Sequence, residues 1–109
     1  MAGTGPVAQD VLDEIIRRIV QVAKPEKIIM FGSAARGAMG PHSDVDLLVV
    51  KGGAFHRGRV VEAIYMNLIG VGQAVDVVVV TPEDMERYRE SHALIIAPAL
   101  EEGKLVYAA

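Results

Sequence analysis

The chain has no cysteine and no tryptophan, and only two phenylalanines and three tyrosines among its 109 residues. Without cysteine it can form neither disulfides nor thiolate metal centres, as expected of a reducing compartment. So few aromatic rings leave little on which single-stranded bases could stack. No uninterrupted apolar run approaches the ~20 residues needed to span a bilayer. The first residues, Met1-Ala2-Gly3-Thr4-Gly5-Pro6, lack the basic and apolar regions of a secretion signal. Eleven basic against fourteen acidic residues give a net charge of −3, so no global basic character advertises direct nucleic-acid binding. These absences predict a soluble, cytoplasmic protein.

What is present is a chain that is 51% hydrophobic, enough for one core and one domain over residues 1–109. From about Val7 to Ala23, apolar residues recur at helical spacing, and Lys24-Pro25 stops the pattern. Lys27 to Phe31 reads as a first strand, Ser33 to Arg36 as a short helical turn, and Asp44 to Lys51 as a second strand. That second strand is apolar on both faces after its carboxylates, which suits the middle of a covered sheet. Gly52-Gly53 opens a basic connector with His56, Arg57 and Arg59. Val60, Val61, Ile64, Tyr65, Leu68 and Ile69 then mark a second helix closed by Gly70 and Gly72. Ala74 to Val80 is a third strand, and Thr81-Pro82-Glu83-Asp84 a helix start with a capping hydroxyl and early acids. Leu94 to Glu102 reads as helical despite Pro98, with Lys104 to Tyr107 as a last short strand or an extended tail. Strand and helix in alternation predict an α/β (α+β) architecture, a small mixed β-sheet flanked by helices.

The chemistry gathers where the first strand gives way to the second. Ile28-Ile29-Met30-Phe31 ends at Gly32-Ser33, and ten residues after Ser33 comes Asp44, with Asp46 two positions on. Alternate residues of a strand share a face, so these carboxylates would project side by side, roughly 6–7 Å apart. Burying like charges together is costly unless a cation lies between them, and paired hard oxygens suit Mg²⁺. The Gly-Ser turn would bring backbone N–H groups close to phosphate at a helix start. Asp76 interrupts a third apolar run, where an unpaired buried carboxylate would cost several kcal/mol. The economical explanation places the third strand beside the second, with Asp76 completing a cluster with Asp44 and Asp46.

Gly32-Ser33, ten intervening residues, Asp44-Val45-Asp46 and the later Asp76 resemble the signature of the polymerase-beta-like nucleotidyltransferases. Gly-Ser-Ala-Ala-Arg-Gly and Ser-Asp-Val-Asp-Leu-Leu-Val, in a short chain, are similar to the minimal nucleotidyltransferases, which serve as antitoxin partners of HEPN-domain toxins. The likeness runs from Lys27 to about Val80, and Leu100-Glu101-Glu102-Gly103 resembles a common family ending. It implies the palm-like nucleotidyltransferase fold, with Asp44 and Asp46 binding Mg²⁺. Asp76 would join them as a metal ligand and help deprotonate or orient the attacking hydroxyl, while Gly32 and Ser33 hold the triphosphate. It further implies two Mg²⁺ ions, ATP as substrate, and AMP transferred to a hydroxyl, typically a tyrosine of the HEPN toxin.

Plainer readings stand beside these. Ser33 can be an ordinary helix cap, Asp44 a turn residue, and Arg36 either a nucleotide ligand or a solvated loop charge. His56, Arg57 and Arg59 read as a solvated connector, and His42 and His92 as surface residues without a neighbouring ligand. For the whole chain, the alternatives to an adenylyltransferase are two. One is a catalytically idle module that neutralises its partner by contact, and the other a small-molecule nucleotidyltransferase subunit. Relatives acting on small molecules or nucleic acids carry a further domain for the acceptor, so a short chain is expected to borrow that site. The lender would be a HEPN-domain protein or a second copy of this chain.

Overall fold

The computed structural model describes residues 8–37, 43–88 and 102–109. The first helix, α1 (Gln9–Ala23), buries Leu12, Ile15, Ile19 and Ala23, the three- and four-residue spacing of one helix face. Lys24 ends it in the left-handed conformation (φ 47°), its N–H bonded to the Val20 carbonyl at 3.0 Å, and Pro25 follows. Then come β1 (Lys27–Phe31), the single turn α2 (Gly32–Ala35) and β2 (Val45–Val50). After these lie α3 (Arg57–Asn67), β3 (Val75–Val80), α4 (Pro82–Tyr88) and β4 (Lys104–Ala108).

Four strands form one mixed sheet in the order β3-β2-β1-β4. β1 runs antiparallel to β2 and β4, and β2 pairs parallel with β3. A parallel neighbour requires a crossover, which α3 supplies. Both central strands are covered on both faces, which is why their sequences are continuously apolar. On one face Ile28, Met30, Val45, Leu47, Val49, Val77 and Val79 meet Leu12, Ile15 and Ile19 of α1 and Ile64 of α3. On the other, Ile29, Phe31, Leu48, Val50 and Val80 form a smaller cluster with Met85 of α4.

α4 begins as its sequence suggests. The Thr81 hydroxyl accepts the Asp84 N–H and the Asp84 carboxylate accepts the Thr81 N–H, both at 3.0 Å. This reciprocal pair satisfies two otherwise orphaned donors. The C-terminal stretch is a strand, not a tail, bulged between Ile28 and Ile29 of its partner.

Three expectations need correction. The basic connector is shorter than expected, because Arg57 and Arg59 already belong to α3. His56 caps that helix, its Nδ1 accepting the Arg59 N–H at 3.2 Å, and Arg57 bonds Asp84 at 2.7 Å. An imidazole acceptor at the cap does the work that the apolar periodicity cannot reveal. Gly70 and Gly72 lie beyond the helix, which closes at Leu68, and their positive φ angles serve the turn into β3. Within α3 the apolar stripe is not all core, since Ile69 just past its end and Tyr65 are exposed. The helix expected over Leu94 to Glu102 falls, except for Glu102, outside the described residues, as do His42 and His92.

Leu47 is fully buried in the central strand β2. Leu47→Ala is expected to cost about 2–5 kcal/mol, whereas Met66→Ala, 65% exposed on α3, should stay within about 0.5 kcal/mol. Urea denaturation with an unchanged m-value checks both.

Candidate active site

The register of the sheet builds the site. Phe31, the last residue of β1, faces Asp46 on β2, and Asp46 faces Asp76 on β3. Asp46 shares its face with Leu48 and Val50, and Asp76 shares that same face with Val78 and Val80. The two carboxylates therefore lie side by side on adjacent parallel strands. Asp44 sits one residue before β2. Its approach is fixed by the Val45 N–H on the Ala74 carbonyl (2.9 Å) and by Gln73 Nε2, which donates to the Ser43 carbonyl (3.2 Å). Asp44 and Asp76 are exposed and Asp46 is half-buried.

On the other side of Asp46 the chain leaves β1 through Gly32, with φ of +70°. A Cβ there would overlap Asp46 Oδ2, so the position excludes a side chain twice over, by contact and by backbone conformation. Gly32 starts α2 directly, with Ser33 half-buried in its first turn and Arg36 closing it. The cap position of this turn is Phe31, so the plain helix-cap reading of Ser33 is not what the backbone adopts. Arg36 lies close enough to influence Asp46, and its guanidinium also reaches Glu102 Oε2 at 3.5 Å in an exposed ion pair.

Burial pushes the Asp46 carboxyl above its ordinary value of 3.8, and repulsion from Asp76 and then Asp44 adds to the rise, while Arg36 opposes it. Two exposed carboxylates beside a half-buried third are a donor set for a hard divalent cation, whose charge would invert that balance. Among the described residues, however, no three carboxylate or imidazole groups close around a single point. The set is juxtaposed rather than converged.

The sequence reading missed Tyr65. Its hydroxyl accepts the Val77 N–H at 2.8 Å and lies 3.4 Å from Asp76 Oδ1. Its place in the apolar stripe of α3 disguised it, and the one available signal was a hydroxyl within an otherwise aliphatic pattern.

The sign of the Asp46 shift sets a pH dependence. A carboxyl raised in the folded state binds more protons there than in the unfolded chain, so stability falls as pH rises between the unfolded and folded values. Asp46→Asn is therefore expected to be more stable than wild type at neutral pH in metal-free buffer. That advantage should disappear below the ordinary carboxylate value, as read from denaturation midpoints across an acid-to-neutral series.

A family model described as "Nucleotidyltransferase domain" matches residues 12–106. Comparison with curated protein sequences returned no significant match. Among solved structures, the chain is similar to a Sulfolobus solfataricus protein whose assignment as a nucleotidyltransferase is itself provisional. The identity is 20%, the TM-score 0.54, and the match covers 93% of this chain and 89% of the other. That likeness speaks to the fold, a small mixed sheet with flanking helices. The match to the family model spans both the Gly32-Ser33 turn and the three aspartates, and on it the chain belongs to the nucleotidyltransferase domain family.

Proposed function

We propose that this chain is a metal-dependent adenylyltransferase that moves AMP from ATP to a hydroxyl of a partner protein, acting as the antitoxin of a HEPN-domain toxin. The observation that carries the catalytic half is the row formed by the Gly32 turn at the end of β1, Asp46 on β2 and Asp76 on β3. Nucleotidyl transfer needs a phosphate cradle on one flank, anionic ligands in the centre and a proton acceptor on the other. The row supplies residues of each kind in that order.

In this reading Asp44 and Asp46 hold Mg²⁺, with Asp76 as a further ligand. Mg²⁺ when bound would neutralise the phosphates and polarise the attacking hydroxyl. Gly32 lets the backbone approach the triphosphate because no Cβ intervenes, and Ser33 and Arg36 contribute a hydroxyl and a cation beside it. Asp76 orients the acceptor hydroxyl and takes its proton, while the bond from the α-phosphorus to pyrophosphate breaks. The partner identity rests on the sequence likeness to minimal nucleotidyltransferases. A tyrosine of the toxin is the acceptor in this reading.

One observation favours a second reading, that the chain neutralises its partner by contact alone: no three ligands converge among the described residues. Intact-mass spectrometry separates the two. Partner incubated with ATP, Mg²⁺ and wild-type chain should gain mass in steps of one AMP and stay inactive after separation. With the doubly substituted Asp44→Asn, Asp46→Asn chain it should gain none, although the two proteins still associate. A partner inhibited but unmodified in both samples would establish the contact mechanism instead.

A further inference from the structure

β3 is a terminal strand of the sheet, so half of its backbone groups face away from β2. One of them, the Val77 N–H, is taken by the Tyr65 hydroxyl at 2.8 Å. Tyr65 comes from α3, which packs through Ile64 on the α1 side of the sheet. Asp76 belongs to the opposite face. The phenol therefore clasps the sheet edge, reaching from the helical face to the carboxylate that rises on the other, 3.4 Å from Oδ1.

The chemistry of the hydroxyl fixes which way this bridge runs. A backbone N–H can only donate, so the phenol oxygen must accept from Val77 with a lone pair. Its single proton is left for Asp76, and an ionised carboxylate can only accept it. One oxygen of Asp76 is thus engaged by a group that is itself anchored to the backbone, and the other is left for a cation or an acceptor hydroxyl. Such outer partners orient metal-binding carboxylates and are typically worth 10–100-fold in metal affinity or activity.

We propose that Tyr65 is the positioning residue of this site, fixing the Asp76 carboxylate so that its remaining oxygen serves the metal–nucleotide complex. The proposal rests on the nucleotidyl-transfer reading above and adds a residue to it. Tyr65 acts through Asp76 and touches no substrate itself.

A double-mutant cycle tests it. Mn²⁺ is titrated calorimetrically into wild type, Tyr65→Phe, Asp76→Ala and the double variant, each in the presence of a non-hydrolysable ATP analogue. Tyr65→Phe should weaken Mn²⁺ binding about tenfold when Asp76 is present and have no further effect when it is absent. Wild-type affinity in Tyr65→Phe, or an equal loss in both backgrounds, overturns the positioning role. Should Tyr65→Phe fold too poorly to titrate, 3-fluorotyrosine placed at position 65 keeps both hydrogen bonds but makes the phenol a stronger donor. Its affinity should then shift with Asp76 present and not with Asp76→Ala; an unchanged affinity overturns the proposal. The underlying reading fails separately. Wild type that binds no Mn²⁺–nucleotide complex removes both, whereas binding abolished by Asp46→Asn and untouched by Tyr65→Phe removes only the role of Tyr65.

Discussion

The parallel register between β2 and β3 sets Asp46 opposite Asp76, and the chemistry at this end of the sheet follows from that pairing. A slip of one residue would turn every β3 side chain to the other face. Asp76 would then enter the core against α1 and α3, and Val77 would face the carboxylates. Val77 and Val79 prevent the slip because both are buried in the larger cluster, while Val80 is committed to the smaller one. The hydrophobic pattern that folds β3 is thus the same constraint that places its carboxylate.

The two sheet faces divide the labour. The face under α1 and α3 carries no charge in its core and contains most of the fully buried aliphatic side chains. The other face is covered at one end by Met85 of α4, over Leu48, Val50 and Val80, and bears its acids at the opposite end. Asp46, half-buried and raised in pKa by burial and by its neighbours, is a site where folding stability is lowered. Stability supplied by one face tolerates electrostatic strain on the other, as expected where a binding site opposes the local rules of folding.

Much of this was legible in the chain. β1 was readable to the residue, because Pro25 and Gly32 bound its apolar run. The adjacency of β2 and β3 was expected from the cost of burying Asp76, and the structure pairs those strands directly, although Asp76 itself is exposed and bears no such cost. What stayed hidden depends on side chains reaching across the fold. The His56 cap extends α3 backward by a turn through an imidazole acceptor, which helix periodicity does not register. Tyr65 fits an apolar stripe by spacing, but its hydroxyl is spoken for by a strand edge 12 residues away in sequence. The β4 strand was ambiguous because an edge strand only partly buries its side chains and leaves a weak alternation.

Gly32 shows why the glycine turn and the acidic residues of the site cannot be separated. Its missing side chain is usually explained by the approach of a ligand's phosphate, yet here the excluded volume belongs to Asp46 Oδ2. The glycine is therefore required even before any nucleotide arrives, and the turn and the carboxylate pack as one unit. The start of α2, which carries Ser33 and Arg36, thus lies directly against the Asp46 carboxylate. Arg36 is in turn tethered to Glu102, just ahead of β4, the strand that flanks β1 on its other side. Arg36 thus stands between the Asp46 carboxylate, whose raised pKa it opposes, and the far edge of the sheet. On the near side one phenolic hydroxyl links Asp76 to the backbone of β3.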